Sequence, residues 1–193
     1  DREVERILFA NLSKEFPDHK LIGEETSSNE GRIPELTDSP TWIIDPIDGT
    51  TNFVHSFPQI CISIGLAINK KMEIGIIYNP CYDEMYTAKR GQGAFLNGKS
   101  IRTSSTKGKQ LYSIAEEISV GSAALVFAFI ARGAIDVFQM DGLKPWDVAA
   151  GYLIATEAGG TVIDTKGMKE SSQLMIDTDL QTQRKRLQKV TSL

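Results

Sequence analysis

The chain has 193 residues, 41% of them hydrophobic and 24% charged, with 21 basic against 25 acidic residues and a net charge of −4. These values fit one generous globular domain or two small ones, and exclude a disordered tail or a fibrous repeat. A weakly acidic chain without a basic stripe argues against duplex nucleic acid, the longest apolar run (Ala123 to Ala131) is too short to span a bilayer, and Cys61 and Cys81 are too few for a disulfide framework.

Asp1 is placed to cap a helix whose apolar stripe is Val4, Ile7, Leu8 and Leu12, ended by Phe16-Pro17-Asp18. Leu21-Ile22 reads as a short strand running into Gly23-Glu24-Glu25-Thr26. Ser27 to Pro40 is polar, with Gly31, Pro34 and Pro40, and reads as a loop. Thr41 to Ile44 is an apolar strand that leads into Asp45-Pro-Ile-Asp-Gly-Thr-Thr-Asn52. From Cys61 to Ile68 large residues alternate with Cys61, Ser63, Gly65 and Ala67, which gives a strand with one face for close packing. Met72, Ile74, Ile76 and Tyr78 alternate after the turn at Asn69-Lys70-Lys71, so the two strands form an antiparallel hairpin. Asp83 to Ala88 and Gly93 to Leu96 continue a meander with glycine turns at Gly91 and Gly98.

The pattern then changes. A join is suspected near Glu116 to Ile118, and Asp1 in place of methionine predicts natural sequence before it. Gly121 to Ala131 is apolar all round and predicts a buried helix; Ile135 to Met140 predicts a strand. Asp147 to Ala158 predicts a helix stopped by Gly159-Gly160, followed by a strand over Thr161 to Asp164 and a turn at Lys166-Gly167. The tail from Gln181 to Val190 is basic and polar, and Arg184-Lys185-Arg186 reads as a solvated face.

The chemistry concentrates in Trp42-Ile-Ile-Asp-Pro-Ile-Asp-Gly-Thr-Thr-Asn-Phe53. A hydrophobic strand delivers Asp45 and Asp48 into a tight turn, where Pro46 removes a backbone donor and Gly49 allows close approach of a ligand. Paired carboxylates attract hard divalent cations, and N–H groups at a helix start near Thr50 and Thr51 attract phosphate. Metal and phosphate sites a few residues apart are what metal-assisted phosphoester hydrolysis needs. An Asp-x-x-Asp-Gly turn alone reads more simply as a capped, solvated turn. Glu24-Glu25 and Asp147 also stand at the ends of hydrophobic elements, and three such clusters together shift the balance toward a site. His19, His55, Cys61 and Cys81 lack ligand-like or catalytic partners and read as surface or packing residues.

Gly23-Glu24-Glu25, Asp45-Pro-Ile-Asp-Gly-Thr-Thr-Asn-Phe53, its extension through Ser63-Ile64-Gly65, and Trp146-Asp-Val-Ala-Ala-Gly with Glu157-Ala-Gly-Gly160 resemble the signatures of the inositol monophosphatase family. The resemblance runs from Asp1 to about Asp164. It implies an α/β fold: a layered αβαβα sandwich with an antiparallel N-terminal sheet and a second mixed sheet with helices. It also implies an N-terminal half over 1–115 and a C-terminal half over 118–193, acting as one unit. The implied cofactor is Mg²⁺, two ions and by analogy a weaker third near Glu24; the implied assembly is a lithium-sensitive homodimer. Two cysteines and no secretory signal independently give a reducing, cytoplasmic setting as the expectation. By the same resemblance, Glu24, Asp45 and the carbonyl of Ile47 hold one ion, and Asp45, Asp48 and Asp147 hold the second. Glu24 and Thr50 position and deprotonate a water. Gly49 and Thr50 hold phosphate oxygens, and Gly121, Ser122 and Ala123 meet the inositol ring.

Three departures stand out. Gln139, with Asp141 nearby, takes the place of a glutamate that many members direct at an inositol hydroxyl; one extra residue precedes Trp146; and an arginine before Gly121-Ser-Ala-Ala is absent. The expected reaction is hydrolysis of an inositol monophosphate, a small-molecule phosphomonoester, with no nucleic-acid or membrane partner. The rival expectations are the same chemistry on a 3′-phosphonucleotide, a sugar phosphate or fructose 1,6-bisphosphate, and a non-catalytic metal-binding relative.

Overall fold

The computed structural model describes residues 1–105, 113–114, 120–164 and 173–177. The suspected join, the turn at Lys166-Gly167 and the basic tail fall outside them.

Helix α1 spans Arg2–Glu15, with Asp1 at its N-cap position but making no side-chain cap. Its inward face keeps the expected Leu8 and Leu12 but not Ile7. Glu5 is buried, and Leu8, Phe9 and Leu12 pack on Trp42, Ile44 and Leu66, while Ile7 is exposed. The face turns because a carboxylate, Glu5, has buried partners to satisfy. Beyond the helix, Phe16 stacks on His19 at 4.9 Å, so His19 is a packing residue.

Strand β1 (Lys20–Gly23) pairs in parallel with β2 (Thr41–Asp48). Helix α2 (Glu24–Glu30) lies in the connection and ends at Gly31, whose φ of 66° is left-handed. The sequence reading placed a loop from Ser27 onward; the helix forms because its first turn is capped from another element. β2 also runs four residues past the expected end, through Asp45-Pro-Ile-Asp48, so the two aspartates do not sit in a tight turn. Asp45 pairs with Ser63 and Asp48 with Cys61, with a bulge between them. Pro46 is tolerated there because the bulge releases its residue from donating to the ladder. Gly49 then turns the chain at φ 97° into the short helix α3 (Thr50–Val54).

β3 (Cys61–Ile68), β4 (Lys71–Asn79), β5 (Glu84–Lys89), β6 (Ala94–Leu96) and β7 (Lys99–Ile101) complete a seven-stranded sheet in sequence order. Every pair from β2 onward is antiparallel, and β1–β2 is the parallel exception to the antiparallel sheet expected. The β3–β4 turn places Asn69 and Lys70 at positive φ, the geometry that suits a twisted hairpin.

The second sheet has the order β10-β11-β9-β8, from β10 (Thr161–Asp164), β11 (Gln173–Asp177), β9 (Val137–Asp141) and β8 (Ser113–Ile114). It is mixed, with β8–β9 parallel. Between the sheets lie α4 (Ala123–Ala131) and α5 (Pro145–Glu157). α4 is buried all round: Leu125 and Ala128 face Cys61, Ile77 and Tyr86, while Phe127 and Ile130 face Ile135, Phe138 and Val162. Each large side chain so buried contributes about 1.5–3 kcal/mol.

The small-residue face of β3 is the one α5 covers. A Cβ on Gly65 would stand 2.9 Å from the Cβ of Ala149, and one on Gly75 would stand 2.6 Å from the Ala150 carbonyl oxygen. α1 packs on the opposite face of the same sheet. The described residues therefore give the order α1, seven-stranded sheet, α4 with α5, four-stranded sheet, which is four of the five expected layers. Among them, no helix is long and apolar enough to cross a membrane.

Candidate active site

The bulge in β2 decides where the aspartates point. Asp45 shares the face of Ile43, which packs with Trp146 and Ala149 of α5, so its side chain lies toward that helix. It is buried, and Oδ1 accepts a hydrogen bond of 3.1 Å from the Ile47 N–H. Asp48 is also buried, and its Oδ2 accepts from the Ser122 hydroxyl (2.9 Å) and the Ala124 N–H (2.5 Å). One carboxylate oxygen thus anchors the first turn of α4. Ser122 caps that helix in turn, accepting from the Leu125 N–H at 3.2 Å. Cys61 Sγ lies 3.5 Å from the Ser122 oxygen; burial holds its thiol well above the usual range, so it stays a neutral packing group.

Asn52 is a residue whose role the sequence reading missed. Its amide donates to the carbonyls of Gln59 and Val120, both at 2.7 Å. That stitches the motif to the Gly121 segment from 68 residues away. Gly121 lies so close that a Cβ there would meet the Asn52 amide at 2.5 Å. A Cβ on Gly49 would likewise meet the Gln59 carbonyl at 2.9 Å. The Thr50 hydroxyl, at an exposed position, donates to the Ile47 carbonyl at 3.3 Å.

Asp147 stands in the first turn of α5, whose entry Ser63 fastens by donating to the Trp146 carbonyl at 3.3 Å. The Asp147 carboxylate turns back to accept from the Lys144 N–H at 2.6 Å. Glu24 opens α2 and stands close enough to Asp45 for each to shift the other's carboxyl. Gly121 is exposed, whereas Ser122 and Ala123 are buried, so the Ser122 hydroxyl serves Asp48 and the helix cap. Gln139 sits on β9 opposite Met175 of β11.

Four acidic side chains from three elements therefore feel one another. Asp45 is pushed up to about 10, first by burial and then by the fields of Asp48, Glu24 and Asp147. Asp48 is raised to about 6 by burial, against the pull of its bonds to Ala124 and Ser122. Glu24 is raised by burial, with the fields of Asp147, Glu25 and Asp48 adding to it and the Asp45 hydrogen bond opposing. Asp147 is raised by burial, opposed by the Lys144 N–H and ammonium. Carboxyl groups that cannot all ionise together form a set of hard oxygen donors that a divalent cation would satisfy. The residues present fit such an ion. The fit is one of donor chemistry: among the described residues no group of three or more acidic, histidine or cysteine side chains is arranged to hold a metal ion. Asp48 and Asp147 each commit an oxygen to a helix start instead.

The sequence model of the inositol monophosphatase family matches residues 1–120 and 109–191. Inositol monophosphatase 2 of Solanum lycopersicum is 45% identical, over 86% of this chain and 74% of its own. Inositol monophosphatase 1 of Homo sapiens is 40% identical, over 86% of this chain and 70% of its own. Among solved structures, the Thermotoga maritima IMPase superposes with a TM-score of 0.84 at 33% identity, covering 95% of this chain and 79% of that one. An inositol monophosphatase from Anabaena (Nostoc) gives 0.83 at 29% identity, with 92% and 81% covered. With its fold, its motif and these relatives in agreement, the chain belongs to the inositol monophosphatase family.

Proposed function

We propose that this member of a metal-dependent phosphatase family hydrolyses inositol monophosphates to inositol and orthophosphate with Mg²⁺ as cofactor. The observation that carries the reading is the meeting of Glu24, Asp45, Asp48 and Asp147, each with its carboxyl raised. Glu24, Asp45 and the Ile47 carbonyl would hold one ion, and Asp45, Asp48 and Asp147 a second, with Asp45 shared. A third, weaker ion would sit near Glu24. Bound cations supply a lowered water pKa and neutralise charge on the leaving oxygen.

The chain's own groups do the rest. Thr50 donates to the Ile47 carbonyl, which leaves its oxygen free to accept a hydrogen bond from the attacking water and orient it. Glu24, whose carboxyl burial raises from its ordinary value, would take the proton that the water gives up. The N–H groups of Gly49 and Thr50 receive phosphate oxygens at the start of α3. The backbone at Gly121, Ser122 and Ala123 borders the alcohol, and Gln139 offers its amide to a hydroxyl. Water oxygen bonds to phosphorus as the ester oxygen leaves and takes up a proton.

Family resemblance also supports a homodimer, lithium inhibition, and two chain halves, 1–115 and 118–193, that act together, and the low cysteine count fits a cytoplasmic setting.

Asp48→Asn tests the reading. The asparagine oxygen can replace Oδ2 toward Ser122 and Ala124, which leaves an amide NH₂ facing the acidic cluster. Phosphate release from inositol 1-phosphate is expected to require Mg²⁺ and to fall at least about a hundredfold in this variant, the scale of losing one transition-state stabilising group. Full activity in a folded Asp48→Asn variant would remove the assignment.

A further inference from the structure

Glu5 is an acid at a core position. It is 4% exposed, and it lies on the face of α1 that also presents Leu8, Phe9 and Leu12. A carboxylate is costly there unless it is fully hydrogen-bonded. Oε2 accepts from the Glu25 N–H at 2.9 Å, and Oε1 accepts from the Thr26 N–H at 2.9 Å and the Thr26 hydroxyl at 2.5 Å. All three donors belong to the first turn of α2.

That turn has no cap of its own. Its N-cap residue is Gly23, which makes no side-chain cap bond, and the helix has seven residues, too few to be stable alone. Glu5 supplies from a different helix what a serine or aspartate at the N-cap would supply locally. The fit is close: a Cβ on Gly23 would run into Glu5 Oε2 and stand 2.8 Å from Phe9 Cζ. Any side chain at Gly23 would push the carboxylate out.

The first residue of α2 is Glu24. We propose that Glu5 is a positioning residue for Glu24: by clamping the N–H groups of Glu25 and Thr26 it fixes the first turn of α2 and so sets the Glu24 carboxylate against Asp45. The inference rests on the reading of Glu24 as a cation ligand. Glu5 touches neither ion nor substrate. Its charge matters because three donors converge on it and a carboxylate has no hydrogen to set against them, whereas a glutamine would turn its NH₂ toward one N–H.

The test is Mg²⁺ binding by calorimetry in the absence of substrate, alongside thermal unfolding in chelator and steady-state kinetics. Glu5→Gln is expected to weaken Mg²⁺ affinity by about tenfold or more, the usual cost of losing an outer-shell support. Thr26→Val removes one donor and is expected to weaken it about two- to tenfold, while Thr26→Ser restores it. At saturating Mg²⁺ the KM for inositol 1-phosphate is expected to stay within about twofold, because Glu5 acts through the ion ligand. Lower thermal stability with wild-type Mg²⁺ affinity in Glu5→Gln would make Glu5 a structural cap only and overturn the proposal. If Glu5→Gln does not fold, the Thr26→Val and Thr26→Ser pair decides it on the same measurement. A wild-type protein that neither binds Mg²⁺ nor releases phosphate would overturn the hydrolase reading itself, and the role of Glu5 with it.

Discussion

The starts of α2 and α5 each carry one acid of the site, and they are held by opposite means. α5 is 13 residues long, and its Trp146, Ala149, Ala150, Leu153 and Ile154 are buried. It caps itself, since Asp147 accepts from Lys144. α2 is seven residues long, Ser27 is its buried member, and its cap comes from α1. Rigidity at Asp147 is a property of the core, whereas rigidity at Glu24 is borrowed through a handful of hydrogen bonds. An acid can be placed accurately either way, but the second way leaves few contacts between a point change and the site.

The comparison breaks most severely at Gly75. A valine there drives its Cβ toward the Ala150 carbonyl, a backbone atom 2.6 Å away that cannot swing aside. Denaturant unfolding of Gly75→Val is expected to show a loss of about 3 kcal/mol, the upper range for overpacking. No single change on α2 should approach that.

The acid shared between the two helices, Asp45, gives the next effect. Its carboxyl is raised to about 10 in the fold against an ordinary 3.8. Between those values the folded chain keeps a proton that the unfolded chain has released, so stability falls as pH rises from about 4 toward 10. Melting in chelator is expected to drop steadily from pH 5 to 9. Asp45→Asn should flatten that slope, and Mg²⁺ should restore more stability at pH 9 than at pH 5 in the wild type. A melting temperature that climbs over this range would contradict the burial and crowding argued for Asp45.

The smallest effect sharpens the contrast. Ser63→Ala removes the 3.3 Å bond to the Trp146 carbonyl. It is expected to cost about 1 kcal/mol with little change in Mg²⁺ affinity, because packing still holds α5.

Much of this was readable in the residues. The alternation along β3 and β4 announced both the hairpin and the close-packed face, because a strand's side chains must alternate. The three acidic clusters were visible because each follows or opens a hydrophobic element. What escaped depended on contacts between distant residues. α2 has a polar sequence with Ser27, Ser28 and Asn29, and nothing local marks it as helical; its cap is 20 residues upstream. The same partnership turned the buried face of α1 toward Glu5 and Phe9, away from Ile7. Pro46 suggested the end of a strand, and a bulge absorbed it. Strand β11 lies in a stretch for which the sequence reading named no element, and the parallel pairing of β1 with β2 has no signature in either strand alone. Asn52 could have been noticed as an amide within the motif, three residues after Gly49, but its partners were not foreseeable.

The divided duty of Asp48 has a wider consequence. One of its oxygens holds the threshold of α4, where Gly121 to Ala123 begin, and the other remains for the acidic cluster. A single delocalised charge thus serves two clients, so electron density drawn toward one oxygen loosens the grip of the other. On the proposed reading, where Asp48 also holds a cation and the Gly121 segment borders the alcohol, binding at either place would be tied to the other in both directions, without any part of the backbone needing to travel between them.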